Sequence, residues 1–305
     1  MSTANRGVVV IGDALIDEIR DAAGIRELVG GAALNVAVGL RRLGVPVTLI
    51  AMVGADVAGN HIREYLADHG VTLIDSPSPH GSSRAVVKMT GGEPEYVFNE
   101  AAQRRSIRYS GRAREAIAEA ALVAVSCFPF DVEAEVTALA DAVGDARLVI
   151  DPNPRAGMLH DRDAFVRGFE GLAARAELVK VGSDDAALLY DGDLDALRRR
   201  LRELGAGTVL ATAGSAGAVL ESDAGESAAP ITDLPGPIVD TVGAGDATLA
   251  AVAEGLVAGQ PMTAEDWRML LDRAMAIAAA TCRAEGGLLR TPESLAESQR
   301  GVLGS

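Results

Sequence analysis

Short β-branched runs alternate in this chain with alanine- and leucine-rich periodic segments, and that alternation leaves few architectures open. Val8–Ile11, Val47–Val53, Leu122–Ser126, Leu148–Ile150, Leu178–Val181 and Val209–Thr212 read as short buried strands. Helical spacing marks Ala33–Leu43, Ala58–Asp68, Arg112–Ala120, Val132–Val143, Asp195–Leu204, Ala247–Ala258 and Trp267–Arg283. Strand, helix, strand at this spacing predicts an α/β fold: a central, mostly parallel sheet with helices on both faces.

Two segments break the rhythm. Residues 14–29 carry mixed charges with little helical periodicity, and residues 84–99 read as two strands around a Gly91-Gly92 turn. Together they predict a small β-lid on the main sheet, with an ordinary edge hairpin as the plainer reading. No long linker, low-complexity stretch or repeat divides residues 1–305. One domain with this insertion fits best.

Composition narrows the function. Lys+Arg 28 against Asp+Glu 43 gives a formal charge of −15, which speaks against nucleic acid and anionic membrane partners. Only Lys88 and Lys180 are lysines and both follow valine, so no P-loop Gly-Lys exists. Cys127 and Cys282 lie far apart, outside any C-x-x-C, which suggests a reducing compartment. No apolar run reaches a signal-peptide core or 18 residues, so a cytoplasmic protein is expected. The four histidines show no metal spacing, and no G-x-S-x-G, G-x-G-x-x-G or H-E-x-x-H string occurs.

The most informative stretch is Asp240-Thr241-Val242-Gly243-Ala244-Gly245-Asp246, followed by the apolar run Ala247–Ala258. A glycine turn opening a helix presents unpaired N–H groups, a ready site for a phosphoryl group. Asp246 would there accept a proton from an attacking hydroxyl, or simply cap the helix. Gly30-Gly31-Ala32-Ala33-Leu34-Asn35 leads into another helix, and Asn35 suits a hydroxylated ligand or a cap. Asp13 and Asp17 follow the first strand, and Gly54-Ala55-Asp56-x-x-Gly59 repeats that arrangement after the second. Acids beyond strand ends suit a polyol, although solvated loop acids are common in so acidic a chain. Thr212–Gly217 is a further glycine-rich turn, and Asp151-Pro152-Asn153-Pro154-Arg155 is a rigid polar cluster, either loop scaffold or phosphate-facing arginine.

Together these strings resemble the ribokinase-like, or PfkB-type, carbohydrate kinases over nearly the whole chain and in the right order. The signatures are G-G-x-x-x-N at Gly30–Asn35 and D-T-x-G-A-G-D at Asp240–Asp246. Gly12–Asp17 and Asp151–Arg155 place the chain closer to fructokinase-like members than to ribokinase. The resemblance implies a nine-stranded or similar sheet, a β-lid over the sugar, and ATP with Mg²⁺ as donor. It implies Asp246 as the base and the Gly243, Ala244, Gly245 and Asp246 backbone as the anion hole. It sets Asp13, Asp17, Gly30, Gly31, Asn35 and Asp56 at the sugar. Lys180, Asp185, Thr212, Gly214, Ser215, Gly217 and Gly245 fall at the nucleotide, and Ala279–Gly287 completes the adenine pocket. Asp240 falls near a monovalent-cation site, such as one for K⁺, that not every member uses.

Two departures stand out. Where the family has N-x-x-E after a strand-end lysine, Gly182 and Asp185 follow Lys180, so the amide is lost and the acid shortened. Asp185 would then reach Mg²⁺ only indirectly. Phe98-Asn99-Glu100-Ala101-Ala102 departs from the fructokinase lid exit. The expected reaction is ATP-dependent phosphorylation of a primary hydroxyl on a small, fructose-like sugar. A nucleoside kinase on the same fold and a non-catalytic sugar- or nucleotide-binding regulator are the alternatives. A homodimer through the lid is left open.

Overall fold

Strands buried on both faces need apolar side chains on both, and β1 (Val8–Gly12) has them: Val8 and Val10 point into one layer, Val9 and Ile11 into the other. The computed structural model describes residues 6–21, 24–90, 93–259 and 261–303. After β1 come β2 (Leu15–Asp21), β3 (Gly24–Gly30), β4 (Val47–Val53), β5 (Thr72–Pro77), β6 (Ser83–Thr90) and β7 (Glu93–Phe98). The second half holds β8 (Leu122–Ser126), β9 (Leu148–Asp151), β10 (Leu178–Gly182), β11 (Thr208–Thr212), β12 (Ala218–Ser222) and β13 (Gly225–Ala229).

Nine of these strands form the central sheet in the order β13-β12-β11-β10-β9-β8-β1-β4-β5. Every pairing from β5 across to β11 is parallel; β12 and β13 close one edge antiparallel. Helices Ala32–Arg42, Ala244–Ala258 and Ala264–Thr281 pack on one face. The other face takes Gly111–Glu119, Glu133–Val143, Arg162–Ala173 and Leu194–Leu204 over a cluster of Phe128, Phe130, Phe165 and Phe169. Among the described residues no helix is long and apolar enough to cross a membrane.

The other four strands form a separate sheet, β3-β2-β6-β7, which coincides with segments 14–29 and 84–99. The Gly91-Gly92 turn lies outside the described residues. Leu15, Ala85 and Phe98 of this second sheet meet Ala32, Ala102, Cys127 and Met158 in a small third cluster. That contact seats the second sheet at the carboxyl ends of the parallel strands, where open α/β sheets bind ligands.

Candidate active site

The stretch before the last core helices has no strand ladder to hold it, so its backbone is tied to a neighbouring loop. Val239 and Asp240 both donate their N–H to the Cys282 carbonyl, at 2.8 and 3.3 Å. The Asp240 carboxylate accepts from Val242 N and Gly286 N, each at 3.0 Å. Gly243 then turns the chain at φ +77°, and a Cβ there would lie 2.5 Å from Gly287 Cα. Both the left-handed backbone and the close approach demand glycine.

The helix begins at Ala244, three residues before the apolar run, and Gly243 is its N-cap with no side-chain cap bond. Asp246 therefore sits inside the first turn and does not cap it. Among the described residues the Gly245 and Asp246 N–H groups have no hydrogen-bond partner. This is an open, partly positive helix end with a carboxylate beside it.

Asp246 is buried, and its Oδ2 accepts from Asn35 Nδ2 at 2.9 Å across 211 residues of sequence. Asn35 stands in the first turn of helix Ala32–Arg42, which starts from Gly31 at φ +113°. A Cβ on Gly287 would lie 2.5 Å from Asn35 Nδ2. The two glycine-led helices thus meet at one point, with Asp246 and Asn35 in contact. Burial pushes the Asp246 carboxyl up, Asn35 pulls it down, Asp151 raises it, and Lys180 and Arg155 lower it; the balance is about 7. Such a group can take a proton near neutral pH.

On the lid side, Asp13 Oδ1 accepts from Ala33 N at 2.9 Å, so this buried acid closes the start of the Gly31 helix from a distance. Burial lifts its carboxyl above the ordinary range. Asp17, on β2, is pushed up to about 6 by burial and by Asp13. A Cβ on Gly30 would come within 2.3 Å of Asp17 Oδ2, so the Asp17 carboxylate lies directly over that backbone. A cavity lined by Gly12, Asp13, Ser83, Arg105 and Cys127 opens beside them. Asp56 is arranged differently. It caps helix Val57–Asp68 through Gly59 N (2.7 Å) and receives Ser82 N and Ser82 Oγ (2.8 and 2.6 Å). Burial raises it, yet these bonds outweigh that and hold it below the ordinary range. Asp56 braces the entry of β6.

On the opposite side, Lys180 Nζ donates to Asp151 Oδ2 at 2.7 Å, both side chains almost fully buried. Asp185 Oδ2 accepts from Gly182 N at 2.6 Å in the first turn of helix Ser183–Leu189, and burial raises its carboxyl. Thr212 Oγ1 reaches the Val181 carbonyl at 3.3 Å, and Gly214, Ser215 and Ala216 form a single 3-10 turn closed by Gly217 at φ +91°. Lys180 stands mid-strand in β10, Asp185 in the helix that follows it, and Thr212 ends β11 opposite Gly182.

The model of the pfkB family of carbohydrate kinases matches residues 5–293. The chain is a pfkB-family carbohydrate kinase. A fructokinase from Rhizobium leguminosarum bv. trifolii is 30% identical over 263 residues, 82% of this chain and 79% of that one. An aminoimidazole riboside kinase from Salmonella typhimurium is 29% identical over 267 residues, 79% of this chain and 77% of that one. Among solved structures, a fructokinase from Xylella fastidiosa with bound ATP superposes with a TM-score of 0.80. It is 19% identical and covers 98% of this chain and 99% of that chain, a likeness of fold. The fold is ribokinase-like.

The cleft where the two glycine-led helices meet holds Asn35 against Asp246 and Asp13 on Ala33 N, with Asp17 next to Gly30, while Asp56 bonds Ser82. Arg105 and Cys127 stand in the cavity wall, and Asp151 ends β9. Only Asp151 had a signal, an acid at the end of a buried strand.

Proposed function

We propose that this kinase transfers the γ-phosphoryl group of ATP in line to a primary hydroxyl of a small neutral sugar, with a fructose-like ketose as first candidate. The observation that carries this reading is the Asp246 carboxylate held by Asn35 beside an open helix N-terminus. The acceptor hydroxyl loses its proton to Asp246 while its oxygen bonds to phosphorus and the bond to ADP breaks. The Gly243–Asp246 N–H groups receive the charge on the transferring oxygens. Asp13, Asp17 and Asn35 orient the sugar, and the lid excludes water.

The nucleotide lies over Thr212–Gly217 and Lys180. Among the described residues no three acidic, histidine or cysteine side chains converge to cage a metal, so Mg²⁺ would ride on the phosphates, with Asp185 reached through water. Bound there, it neutralises phosphate charge. A monovalent cation beside Asp240 and a lid-mediated homodimer belong to the same reading, as does a cytoplasmic location. Paired acids and arginines at the sugar end (Asp13 and Asp17 against Arg105 and Arg155) favour an uncharged acceptor.

The likeness to an aminoimidazole riboside kinase supports a nucleoside as the second reading. ATP consumption measured over a panel of ketoses, aldoses, sugar phosphates and nucleosides decides. Turnover with fructose above that with any nucleoside upholds the first reading, and the reverse order overturns it. Binding of ATP and sugars without turnover of any acceptor would leave a regulator.

A further inference from the structure

The second sheet is fastened unevenly. Along β6 and β7 the attachment is dense. Asn99 Oδ1 accepts from Arg84 N and Ala102 N, each at 3.0 Å, and its Nδ2 donates to the Ser82 carbonyl at 2.9 Å. Asp56, at the head of helix Val57–Asp68, holds Ser82, and Phe98 lies so close to Gly157 that a Cβ there would be 2.7 Å from its ring. The opposite edge is β3, whose residues 24–28 are all exposed. An edge strand has a neighbour on one side only, so β3 gains from a further hold.

Arg26 reaches one. Its Nη1 donates to Glu285 Oε1 at 2.9 Å across 259 residues of sequence. Side chains alternate along a strand, and directly paired residues share a face. Leu28 pairs with Asp17 and Arg26 with Ile19, so Arg26 belongs to the face that carries Asp17, whereas Glu27 belongs to the other and bonds Arg84. Glu285 stands in the loop after helix Ala264–Thr281. That loop accepts Val239 N and Asp240 N at Cys282, donates from Gly286 N to Asp240, and brings Gly287 against both Gly243 and Asn35. One ion pair thus joins the loosely held edge of the second sheet to the loop on which the Gly243 turn rests. Such an exposed pair contributes little to stability. Weakness suits a contact that opens and recloses with each turnover, because ligand binding can then shift its equilibrium.

We propose that Arg26–Glu285 is a clasp between the lid and the loop behind the phosphoryl turn, favouring the closed lid and coupling sugar capture to the placement of the Gly243–Asp246 donors. The inference rests on a sugar binding beneath the lid, and it deepens that reading by naming the pair that regulates closure. The coupling is reciprocal: a sugar that favours the closed lid steadies the turn, and a nucleotide that steadies the loop favours the closed lid.

The experiment reverses the charges in the full chain: Arg26→Glu, Glu285→Arg and the two together. The side chains are 51% and 63% exposed, so each variant should fold. Without ligands, hydrogen exchange should speed about fivefold in either single variant, both in the peptide covering β3 and in that covering residues 282–287. It should return to within about twofold of wild type in the swapped variant. With the acceptor found active, Arg26→Glu should raise the sugar KM about fivefold and change kcat by less than about twofold, and the swap should restore KM. Exchange unchanged or faster in β3 alone, an unchanged sugar KM, or a swap that restores nothing overturns the proposal. A wild type that phosphorylates no acceptor would instead defeat the kinase reading, and the exchange of the two peptides then decides the clasp by itself.

Discussion

Two sets of helices in this molecule begin in opposite ways. Four helices away from the cleft are closed by their own N-cap side chains: Ser110 onto Ala113 N, Asp161 onto Ala164 N, Asp193 onto Ala196 N, Thr263 onto Asp266 N; helix Glu133–Val143 starts on Val132 without one. The helices at Gly31 and Gly243 begin on glycines with positive φ and no side-chain cap bond. Their fates then diverge, since Asp13, in the turn after β1, closes the first, and among the described residues no side chain closes the second. A side-chain cap contributes about 1 kcal/mol, so leaving it out forgoes stability in order to keep donors free. The open end marks where an anion goes, and the remotely closed end marks where the sugar is held.

The largest effect should come from the acid at the open end. Asp246→Asn removes the base and keeps the shape, and kcat should fall by about 100-fold or more in steady-state assays of the acceptor found active. A fall under about tenfold would remove Asp246 from that role. In wild type, kcat/KM should rise with pH through about 7, because the carboxyl must be ionised to accept a proton. Stability should run the other way. Between the unfolded value of 3.8 and about 7 the folded protein holds a proton that the unfolded chain releases, so stability falls as pH rises across that window. Asp246→Asn removes its share of this slope, leaving those of Asp13, Asp17 and Asp185, and thermal melts at pH 8 should show the inactive variant to be the more stable protein.

Gly243→Ala tests the turn that keeps the helix open. The new methyl would lie 2.5 Å from Gly287 Cα at φ +77°, so the turn must shift. Strain of about 1–3 kcal/mol should appear in denaturant unfolding. Displaced N–H groups should lower kcat by at least about tenfold, with the sugar KM changing less. A variant that loses stability alone would show that the turn is scaffold.

How much of this was legible follows from burial. β4 and β8 match their apolar runs residue for residue, and β1, β9 and β10 run one residue past theirs. Each is covered on both faces and so carries an unbroken signal. β13 (Gly-Glu-Ser-Ala-Ala) has no such run and exists through antiparallel pairing with β12. Helix Ser183–Leu189 is too short to show a period, whereas helix Arg162–Ala173 carries helical spacing in Phe165, Phe169, Leu172 and Ala173 and was legible. At the site, the glycine strings exposed both helix starts. The Lys180–Asp151 contact was not visible, because it depends on the register of β9 on β10. That register sets Val149 against Leu178 and Ile150 against Val179, and the next step brings Asp151 to Lys180. Arg105 had no local signal; only the fold sets it in the cavity wall with Asp13 and Cys127.

The smallest effect belongs to the closed set and sharpens the contrast from the other side. Thr263 caps helix Ala264–Thr281 by accepting from Asp266 N at 3.1 Å, while Asp266 Oδ2 accepts from Thr263 N at 2.9 Å. The cap is exposed and lies at the end of its helix remote from the Cys282–Gly287 loop. Thr263→Ala should therefore cost about 1 kcal/mol in denaturant unfolding. Because neither helix N-terminus at the cleft depends on it, kcat and KM should stay at wild-type values. A kcat loss as large as that of Gly243→Ala would mean that the capped and uncapped helix starts do not divide scaffold from site.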